Sequence, residues 1–410
     1  MSKLFIASTC ICTVLLPWHF FVPLVGCFVL FFWLLSGNWK EKWTNIRSTP
    51  MIFLWVIFYA LFAIGMLWTE NKSEGWSVLT LKLSLFIFPV IFASTRFTPG
   101  VSQILLLLFL LGLFTCGLFL LARAIITWQS TGENVFYYEA LTGGIMHPSY
   151  LSLYYVVGIM IIFHSVIFQK AKTKMRIGAS LLIAFFLLMI YLIASKTGLI
   201  SMGIMLVFYT AFPMVYFRKY ILGISCFILL VVGFYTAKKY FHELSDRIET
   251  FMEVVESKQK IDPTTTESNR IRILLWQADL AVFEKHMMLG VGTGDVEDEL
   301  LKEYATRGMT GAISEKLNAH NQFYQTGIAI GILGLIVMVL VFLAAFIHGI
   351  RKKFGFISLF TFLLLVNMFP ESFLQLAAGV LFIGFFYSLI LFSLDRRQLT
   401  PFKALSPLFS

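Results

Sequence analysis

Charged residues are scarce in this chain of 410 residues. Asp, Glu, Lys and Arg make up 13% of it, about half the share that is typical of a soluble globular domain. Apolar residues make up 59%, so the chain has too little polar surface to cover itself in water. This composition excludes an ordinary soluble domain and predicts a protein that lies largely in lipid.

Cysteine is also rare, and its placement excludes two further classes of site. The five cysteines (Cys10, Cys12, Cys27, Cys116 and Cys226) all lie in apolar stretches, and none lies in the long polar segment of the chain. Such a pattern fits neither a disulfide framework nor a thiolate metal site. We expect no metal site and no cofactor.

Apolar runs near the length that crosses a bilayer, about 20 residues, recur along the chain. The predicted spans are 4–17, 19–37, 50–68, 75–94, 101–127, 148–168, 177–194, 197–216, 219–237, 319–349, 355–370 and 373–394. The first run follows a single charge, Lys3, and we expect an uncleaved helix there. The first two runs are short enough to form a re-entrant hairpin instead. The predicted fold class is all-α, a polytopic membrane protein with about 12 transmembrane helices.

Basic residues occur in alternate loops, which predicts the orientation of the chain. With both termini cytoplasmic, the inner segments hold 17 Lys and Arg residues but only two acids, Glu41 and Asp395. The basic residues are Lys3, Lys40, Lys42, Arg47, Arg96, Lys170, Lys172, Lys174, Arg176, Arg218, Lys219, Arg351, Lys352, Lys353, Arg396, Arg397 and Lys403. Orientation thus explains the net charge of +10, and we expect membrane lipids but no nucleic acid as partners.

The polar segment 238–318 is predicted to be a helical domain on the outer side, between helices 9 and 10. It holds 11 basic and 15 acidic residues, unlike the inner loops. A loop of this length with helical patterns of its own is usually functional. The predicted organisation is 1–237 with helices 1–9, 238–318 as the loop domain, 319–394 with helices 10–12, and 395–410 as a cytoplasmic tail.

His320 is the first candidate for chemistry. It precedes Tyr324 and Gly327 at spacings of four and seven residues, so a helix over 319–349 would place all three on one face at the outer interface. A neutral imidazole at this place could take a proton from a sugar hydroxyl. The alternative is an interfacial histidine that only bonds a neighbouring carbonyl.

Arg272 and Trp276 lie one turn apart on a predicted helix of the loop domain. The guanidinium could be held against the indole or directed at an anion. Arg270 is two residues earlier and would point elsewhere. The alternative is that Arg272 is an exposed residue of an amphipathic helix.

Several other basic residues lie within or beside apolar segments, where charge is costly and usually faces a cavity or an anion. Lys82, Arg123 and Lys196 are of this kind, and His147 opens the sixth helix on the outer side. The glycines of 290–294 permit a tight turn and close approach of a ligand, and Asp295 is expected to cap the following helix.

His147, Lys196, Arg272 and His320 all belong to the predicted outer face. A pocket there with one base and several cations suits a substrate that carries a pyrophosphate, since cations would stabilise the leaving group without a metal.

The order and spacing of five motifs resemble those of the O-antigen ligase and polymerase superfamily, bacterial membrane glycosyltransferases that use undecaprenyl-diphosphate-linked glycans. The motifs are His147-Pro-x-Tyr150-Leu-Ser, Ser195-Lys196-Thr-Gly198, Arg272-x-x-x-Trp276, Leu289-Gly-x-Gly-x-Gly294 and Ala319-His320-Asn321 with Gly327 following. The large outer loop between the ninth and tenth helices also matches. The family often has Arg where this chain has Lys196, which keeps the charge but loses the planar fork.

The resemblance implies a metal-independent, inverting glycosyltransferase with its active site at the periplasmic face of the inner membrane. His320 would be the catalytic base, and Arg272 would hold the diphosphate. Further substrate contacts are expected from Lys196, Asn321, His147, Arg270, Trp276 and Tyr324.

The implied donor is an undecaprenyl-diphosphate-linked glycan, and the favoured acceptor is the lipid A core, which makes the chain an O-antigen ligase of lipopolysaccharide biosynthesis. A polysaccharide polymerase and a protein O-glycosyltransferase remain open within the same superfamily. A secondary transporter of an anionic solute or lipid, with Lys82 and Arg123 along its path, is a different class. A structural scaffold without catalytic activity is the third class of function.

Overall fold

A computed structural model describes residues 2–168, 173–217 and 261–394, together with the isolated positions Tyr220, Ile224 and Ile228. These residues form helices, turns and loops, and no strand occurs among them. The all-α prediction is confirmed for this part of the chain. The predicted tail 395–410 and most of the predicted span 219–237 lie outside the described residues.

The helices differ widely in length. In chain order they are α1 (Lys3–Val14), α2 (Val22–Leu35), α3 (Trp39–Arg47), α4 (Ile52–Gly65), α5 (Lys72–Lys82), α6 (Ser84–Ser94), α7 (Pro99–Thr131), α8 (Tyr138–Thr142), α9 (Pro148–Phe168), α10 (Thr173–Ile193), α11 (Lys196–Phe217), α12 (Ser268–Lys285), α13 (Val296–Thr306), α14 (Thr310–Ser314), α15 (Gln322–Arg351), α16 (Gly355–Met368) and α17 (Ala377–Leu381). A 3₁₀ turn covers Phe373–Gln375, and π-helical turns at Phe382–Tyr387 and Leu389–Ser393 continue α17.

Five helices of the described chain are long and apolar enough to cross a membrane: Lys72–Ser94, Pro99–Thr131, Pro148–Ser165, Thr173–Ile193 and Gln322–Arg351. The pair α2 and α3 would be a sixth span if it counts as one, but the two helices meet at a bend of 109°. Shorter apolar helices lie at other predicted spans, among them α1, α4 and α16. The chain is therefore a helical membrane protein, and the full count of twelve stays a prediction.

Helix α9 lies at the centre of the described bundle. Within its most apolar stretch, 94% of the residues are buried, against 28% for α10. It packs against α10 and α11 and also contacts α7 and α16. Because α9 begins directly after His147, this buried helix holds the motif that starts at His147 in place.

The segment between α12 and α13 packs against a break in α15. The predicted helix over 319–349 is present as α15, but Ile330 and Gly331 interrupt it with non-helical backbone angles, with φ of +67° at Gly331. Three backbone hydrogen bonds cross the contact: the N–H groups of Val291, Gly292 and Ile332 donate to the carbonyls of Ile328 (2.8 Å), Ala329 (3.1 Å) and Met287 (2.7 Å).

The glycines of this segment are required by neighbouring backbone. Gly290 has a φ of +75°, and a Cβ there would lie 2.5 Å from the Ala329 backbone. A Cβ on Gly294 would lie 2.3 Å from the Asn71 carbonyl oxygen. The close approach predicted for a ligand is therefore made at these positions by the protein's own chain.

Asp295 joins the start of α13 to the segment before α5. It stands at the N-cap position of α13, but its side chain makes no capping hydrogen bond there, so the predicted cap is wrong. Its carboxylate instead accepts the backbone N–H groups of Glu70 (3.0 Å) and Asn71 (2.7 Å), just before α5 begins. Orphan N–H groups at a helix start are good partners for a carboxylate.

Candidate functional site

His320 lies in a turn that immediately precedes α15. Asn321 is the N-cap residue, and its side-chain oxygen accepts the N–H groups of Phe323 (2.9 Å) and Tyr324 (3.2 Å). Because Asn321 is the cap, α15 begins after His320, and His320 is not part of the helix. The predicted shared helix face of His320, Tyr324 and Gly327 is therefore wrong. Asn321 therefore has a positioning role in the structure that does not depend on substrate.

The His320 backbone is held in an uncommon conformation. Its φ is +42°, in the left-handed region that few residues with a side chain adopt. Two hydrogen bonds hold it: the His320 N–H donates to Asn318 Oδ1 (2.9 Å), and the His320 carbonyl accepts from the Trp276 indole N–H (3.2 Å). Strain that is kept by surrounding contacts is typical of functional sites.

A buried carboxylate joins the two main candidates. Glu371 Oε1 lies 2.9 Å from Arg272 Nη2, and Glu371 Oε2 lies 3.4 Å from His320 Nδ1. The Glu371 side chain is only 6% exposed, compared with 20% for Arg272 and 23% for His320. Arg272 is thus a half-buried ion-pair partner, and the alternative of an exposed arginine is wrong.

Glu371 is ionised at neutral pH. Burial alone would raise the pKa of its carboxyl group, but the neighbouring His320 imidazole and the positive charge of Arg272 outweigh burial and lower the pKa to about 2. A fixed negative charge beside Nδ1 favours the tautomer with its proton on that nitrogen. The arrangement therefore leaves Nε2 of His320 as the nitrogen that can accept a proton from a substrate.

The contact between His320 Nδ1 and Glu371 Oε2 is long, and Nδ1 has no hydrogen-bond partner among the described residues. Catalytic hydrogen bonds often have this length without substrate and shorten when the substrate binds. The geometry resembles the acid–base pairs of hydrolytic enzymes, in which a carboxylate orients an imidazole for proton transfer.

His147 and Ser149 approach the same carboxylate from the start of α9. The Ser149 hydroxyl donates to Glu371 Oε1 (3.2 Å), and His147 Nδ1 accepts the Ser149 N–H (3.4 Å). Burial lowers the pKa of His147, while the nearby carboxylates of Glu371 and Glu139 oppose the shift. His147 is 31% exposed, so it lies at the rim of this cluster.

Lys196 is the first residue of α11 and is half-buried. Its neighbour Ser195 is buried, and the Ser195 hydroxyl lies 3.5 Å from the hydroxyl of Ser149. The structure thus brings the start of α11 next to the residues around Glu371.

The remaining predicted residues lie further from the carboxylate. Trp276 packs edge-to-face on Phe369, with 5.1 Å between ring centroids, and touches the site through the His320 carbonyl. Arg270 is exposed, and its N–H donates to Glu267 Oε2 at the start of α12. Neither Arg270 nor Tyr324 is among the described residues that contact Glu371, and their substrate roles stay predictions.

Residues 179–339 match the family model described as O-Antigen ligase. The predicted resemblance is confirmed for this part of the chain. These 161 residues, less than half of the chain, are similar to the O-antigen ligase and polymerase superfamily. The match includes Lys196, Arg272 and His320, whereas His147 and Glu371 lie outside it. No curated protein sequence matches the chain.

The superfamily consists of glycosyltransferase-like membrane enzymes, and in general it implies a lipid-linked glycan and an acceptor as partners. Among the residues that the structure describes, no group of three or more His, Cys, Asp and Glu side chains is arranged to hold a metal ion.

Glu371 is the member of this cluster that sequence reasoning missed. It lies between the last two predicted spans, where an acidic residue is expected in an ordinary solvent-exposed loop. One signal could have found it: Glu371 is the only acid between Glu315 and Asp395. An acid alone in so apolar a region is expensive unless it has a charged partner.

The segment that carries Glu371 is held by a buried lysine. Lys82 is fully buried, and its Nζ donates to the Leu374 carbonyl (2.7 Å). The Leu374 N–H donates to Gln322 Oε1 (2.6 Å), so both polar groups of that residue are bonded. The Tyr150 hydroxyl lies 3.4 Å from the Ser372 carbonyl oxygen and adds a contact to α9.

Lys82→Met is expected to lower glycan transfer several-fold and to lower thermal stability. The variant removes the donor from a buried carbonyl, and an unpaired carbonyl costs about 1–3 kcal/mol. Transfer and the apparent melting temperature of the purified protein measure both effects. Lys72→Met is the matched control, since Lys72 begins the same helix and is exposed. Wild-type transfer in Lys82→Met would show that the segment needs no such support.

Glu371→Gln is expected to remove part of the acid sensitivity of the protein. The pKa of Glu371, about 2 in the folded protein, lies below the value near 4.3 of an unfolded chain. The stability from this group is complete above that unfolded value and is lost as the pH falls towards 2. The apparent melting temperature of the wild type should therefore fall more between pH 5 and pH 3 than that of the variant.

Glu315→Gln is the control for this comparison, because Glu315 is exposed. It should keep the wild-type profile. Equal slopes for wild type and Glu371→Gln would contradict the ionised, paired state of Glu371.

Proposed function

We propose that this protein is an O-antigen ligase-like enzyme that moves a glycan from undecaprenyl diphosphate to an acceptor hydroxyl, with the lipid A core as the favoured acceptor. The observation that carries the proposal is the cluster of Arg272, Glu371 and His320. It combines a base, a carboxylate that orients the base and a cation for the diphosphate, from three segments that are far apart in sequence.

The reaction follows from the chemistry of these side chains. His320 Nε2 takes the proton of the acceptor hydroxyl, and that oxygen attacks the anomeric carbon of the donor glycan. The bond from this carbon to the diphosphate oxygen breaks, and the configuration inverts because the attack comes from the opposite face. Arg272 stabilises the charge on the departing diphosphate, so the proposed step needs no metal.

The site is proposed to face the periplasm from the inner membrane of a bacterium. The supporting observation is the distribution of the 17 basic residues in the loops predicted to be cytoplasmic, together with both termini. In this arrangement twelve spans carry the site, and the periplasmic loop domain 238–318 supplies Arg272. His147 and Lys196 are proposed to add further contacts to the lipid diphosphate.

The transporter alternative placed Lys82 and Arg123 along a path for an anion, but both residues have backbone partners in the structure. Lys82 donates to the Leu374 carbonyl, and Arg123 donates to the carbonyls of Ala140 and Leu141. Backbone contacts thus account for both basic residues without a path for an anionic solute.

The proposed function is tested by restoring surface glycan in a strain that lacks this gene. Wild type, His320→Ala and Arg272→Ala would be compared at equal membrane expression, with the glycan scored as a ladder on a gel. We expect wild type to restore glycan-capped lipid and both variants to fail. Loss of chain length alone, with capping intact, would favour the polymerase. Full restoration by both variants would refute the assignment of the site.

A further inference from the structure

A polar cavity lies beside the turn that carries His320. Its volume is about 200 Å³, and it is bounded by the start of α5, by the segment before and within α13, and by the start of α15. Besides Thr293, its polar lining residues are Glu74, Glu297, Lys316, Asn318, Gln325 and Gln375. None of these residues belongs to the Arg272–Glu371–His320 cluster.

Two of the lining amides hold the His320 turn directly. Asn318 Oδ1 accepts the His320 N–H (2.9 Å), and Gln325 Oε1 accepts the Ala319 N–H (3.2 Å). Gln325 is 94% buried, so its side chain is fixed, and its NH₂ group remains a donor for a ligand. Gln375 directly follows Leu374, which belongs to the segment that carries Glu371. Both sides of the catalytic cluster therefore share residues with the wall of the cavity or adjoin it.

The lining favours a neutral ligand with many hydroxyl groups. Amides offer donors and acceptors together, and the carboxylates of Glu74 and Glu297 accept hydrogen bonds from hydroxyl groups. Val78 and Leu300 provide an apolar wall for the C–H face of a ring. Two carboxylates against one lysine would repel a phosphate. The volume is below that of a site for a drug-sized ligand, which suits a single ring.

We propose that this cavity is a subsite for one sugar ring of the glycan substrates and that its occupancy steadies the His320 turn. This inference rests on the proposed function, since it assigns the ring to the donor or the acceptor of the same transfer. The cavity opens between Glu74, Glu297 and Lys316, which are exposed, so a ring can enter from solvent. The two amides then connect a bound ring to the backbone of the proposed base.

The test fills the cavity with a side chain. Val78 is half-buried in α5 and lines the cavity, whereas its neighbour Ser77 is exposed and does not line it. Val78→Trp and the control Ser77→Trp would be purified at full length and assayed with a lipid-diphosphate glycan donor and an acceptor, each varied separately. We expect Val78→Trp to raise the KM for one substrate about 10-fold or more while kcat changes less. Ser77→Trp should keep the wild-type constants.

The substrate whose KM rises identifies the source of the ring. A raised KM for the acceptor assigns the cavity to the acceptor, and a raised KM for the donor assigns it to the donor glycan. Unchanged KM values for both substrates in Val78→Trp would overturn the proposal, as would a fall in kcat alone. If Val78→Trp fails to fold, Glu297→Gln replaces it, with Glu315→Gln as the matched control, and the same two outcomes decide.

A failed subsite and a failed function give different results. When wild type transfers glycan and the cavity variants keep its KM values, the subsite is wrong and the function stands. When wild type transfers none, saturation-transfer NMR with the free donor oligosaccharide and the free acceptor oligosaccharide, each added separately, tests the cavity without turnover. Signals that Val78→Trp abolishes and Ser77→Trp keeps would support a sugar site, and equal signals in both variants would overturn it.

Discussion

His320→Ala is expected to reduce glycan transfer by roughly 10²–10⁴-fold, the range for removal of a general base. Nδ1 of His320 lies 3.4 Å from Glu371 Oε2, which leaves Nε2 free to take the proton of an acceptor hydroxyl. Alanine keeps the backbone but removes the base, and no other imidazole of the described chain contacts Glu371 at this distance. The initial rate of transfer by purified protein measures the effect.

His286→Ala is the matched control for this prediction. His286 lies just after α12, is about 39% exposed and plays no part in the proposed site. It should keep the wild-type rate. If His320→Ala transferred glycan within a few-fold of wild type, the base would have to be another group, and the alternative of an interfacial histidine would be right.

Arg272→Ala is expected to lower transfer by roughly 10²–10³-fold, as for the loss of one group that stabilises transition-state charge. The guanidinium is also the partner of a carboxylate that is only 6% exposed, so the variant leaves Glu371 without its main counter-charge. Stability should fall together with activity. Rates and melting temperatures of the same preparations separate the two effects.

Arg272→Lys sharpens this prediction. Lysine keeps the charge but loses the planar set of N–H donors, so we expect recovery of stability with only partial recovery of transfer. The exposed Arg176 provides the control Arg176→Ala, which should behave as wild type. Full activity of Arg272→Ala would contradict a role for this residue in holding the diphosphate.

The helices and the two central residues could be predicted from the sequence because their signals are local. The long apolar runs that became α7, α9 and α10 need no partner to be recognised, and each lies close to its predicted position. Arg272 and His320 stood out because charge and imidazole are rare beside apolar segments. What these residues contact could not be predicted.

The errors share one physical cause, which is contact between segments that are distant in the chain. The break at Ile330 and Gly331 goes with backbone hydrogen bonds between the Gly290–Gly294 segment and the residues around the break. A glycine within a helical sequence pattern does not by itself predict such a contact. Asp295 fits the rule for a helix cap, but the free N–H groups before α5 bind its carboxylate. The position of His320 depended on whether Asn321 or an earlier residue begins α15, and helix boundaries are the least predictable feature of a sequence.

Glu371 shows the same limit within the site. Its role depends on its distances to Arg272 and His320, which lie 99 and 51 residues away in the chain. Composition marks it as unusual, since it is the single acid of a long apolar region. Only the folded structure shows that the nearest cation and the nearest imidazole are those of the predicted site.

The central claim is that His320 and Glu371 act as one unit in glycan transfer, and a double-mutant cycle tests it most directly. Transfer rates would be measured for wild type, His320→Ala, Glu371→Gln and the double variant at equal stability. If Glu371 acts only through the imidazole of His320, replacing Glu371 in a protein that already lacks His320 should not lower the transfer rate further. The double variant should then be no slower than His320→Ala alone. Fully additive losses would contradict the account, because the two side chains would then contribute to transfer independently.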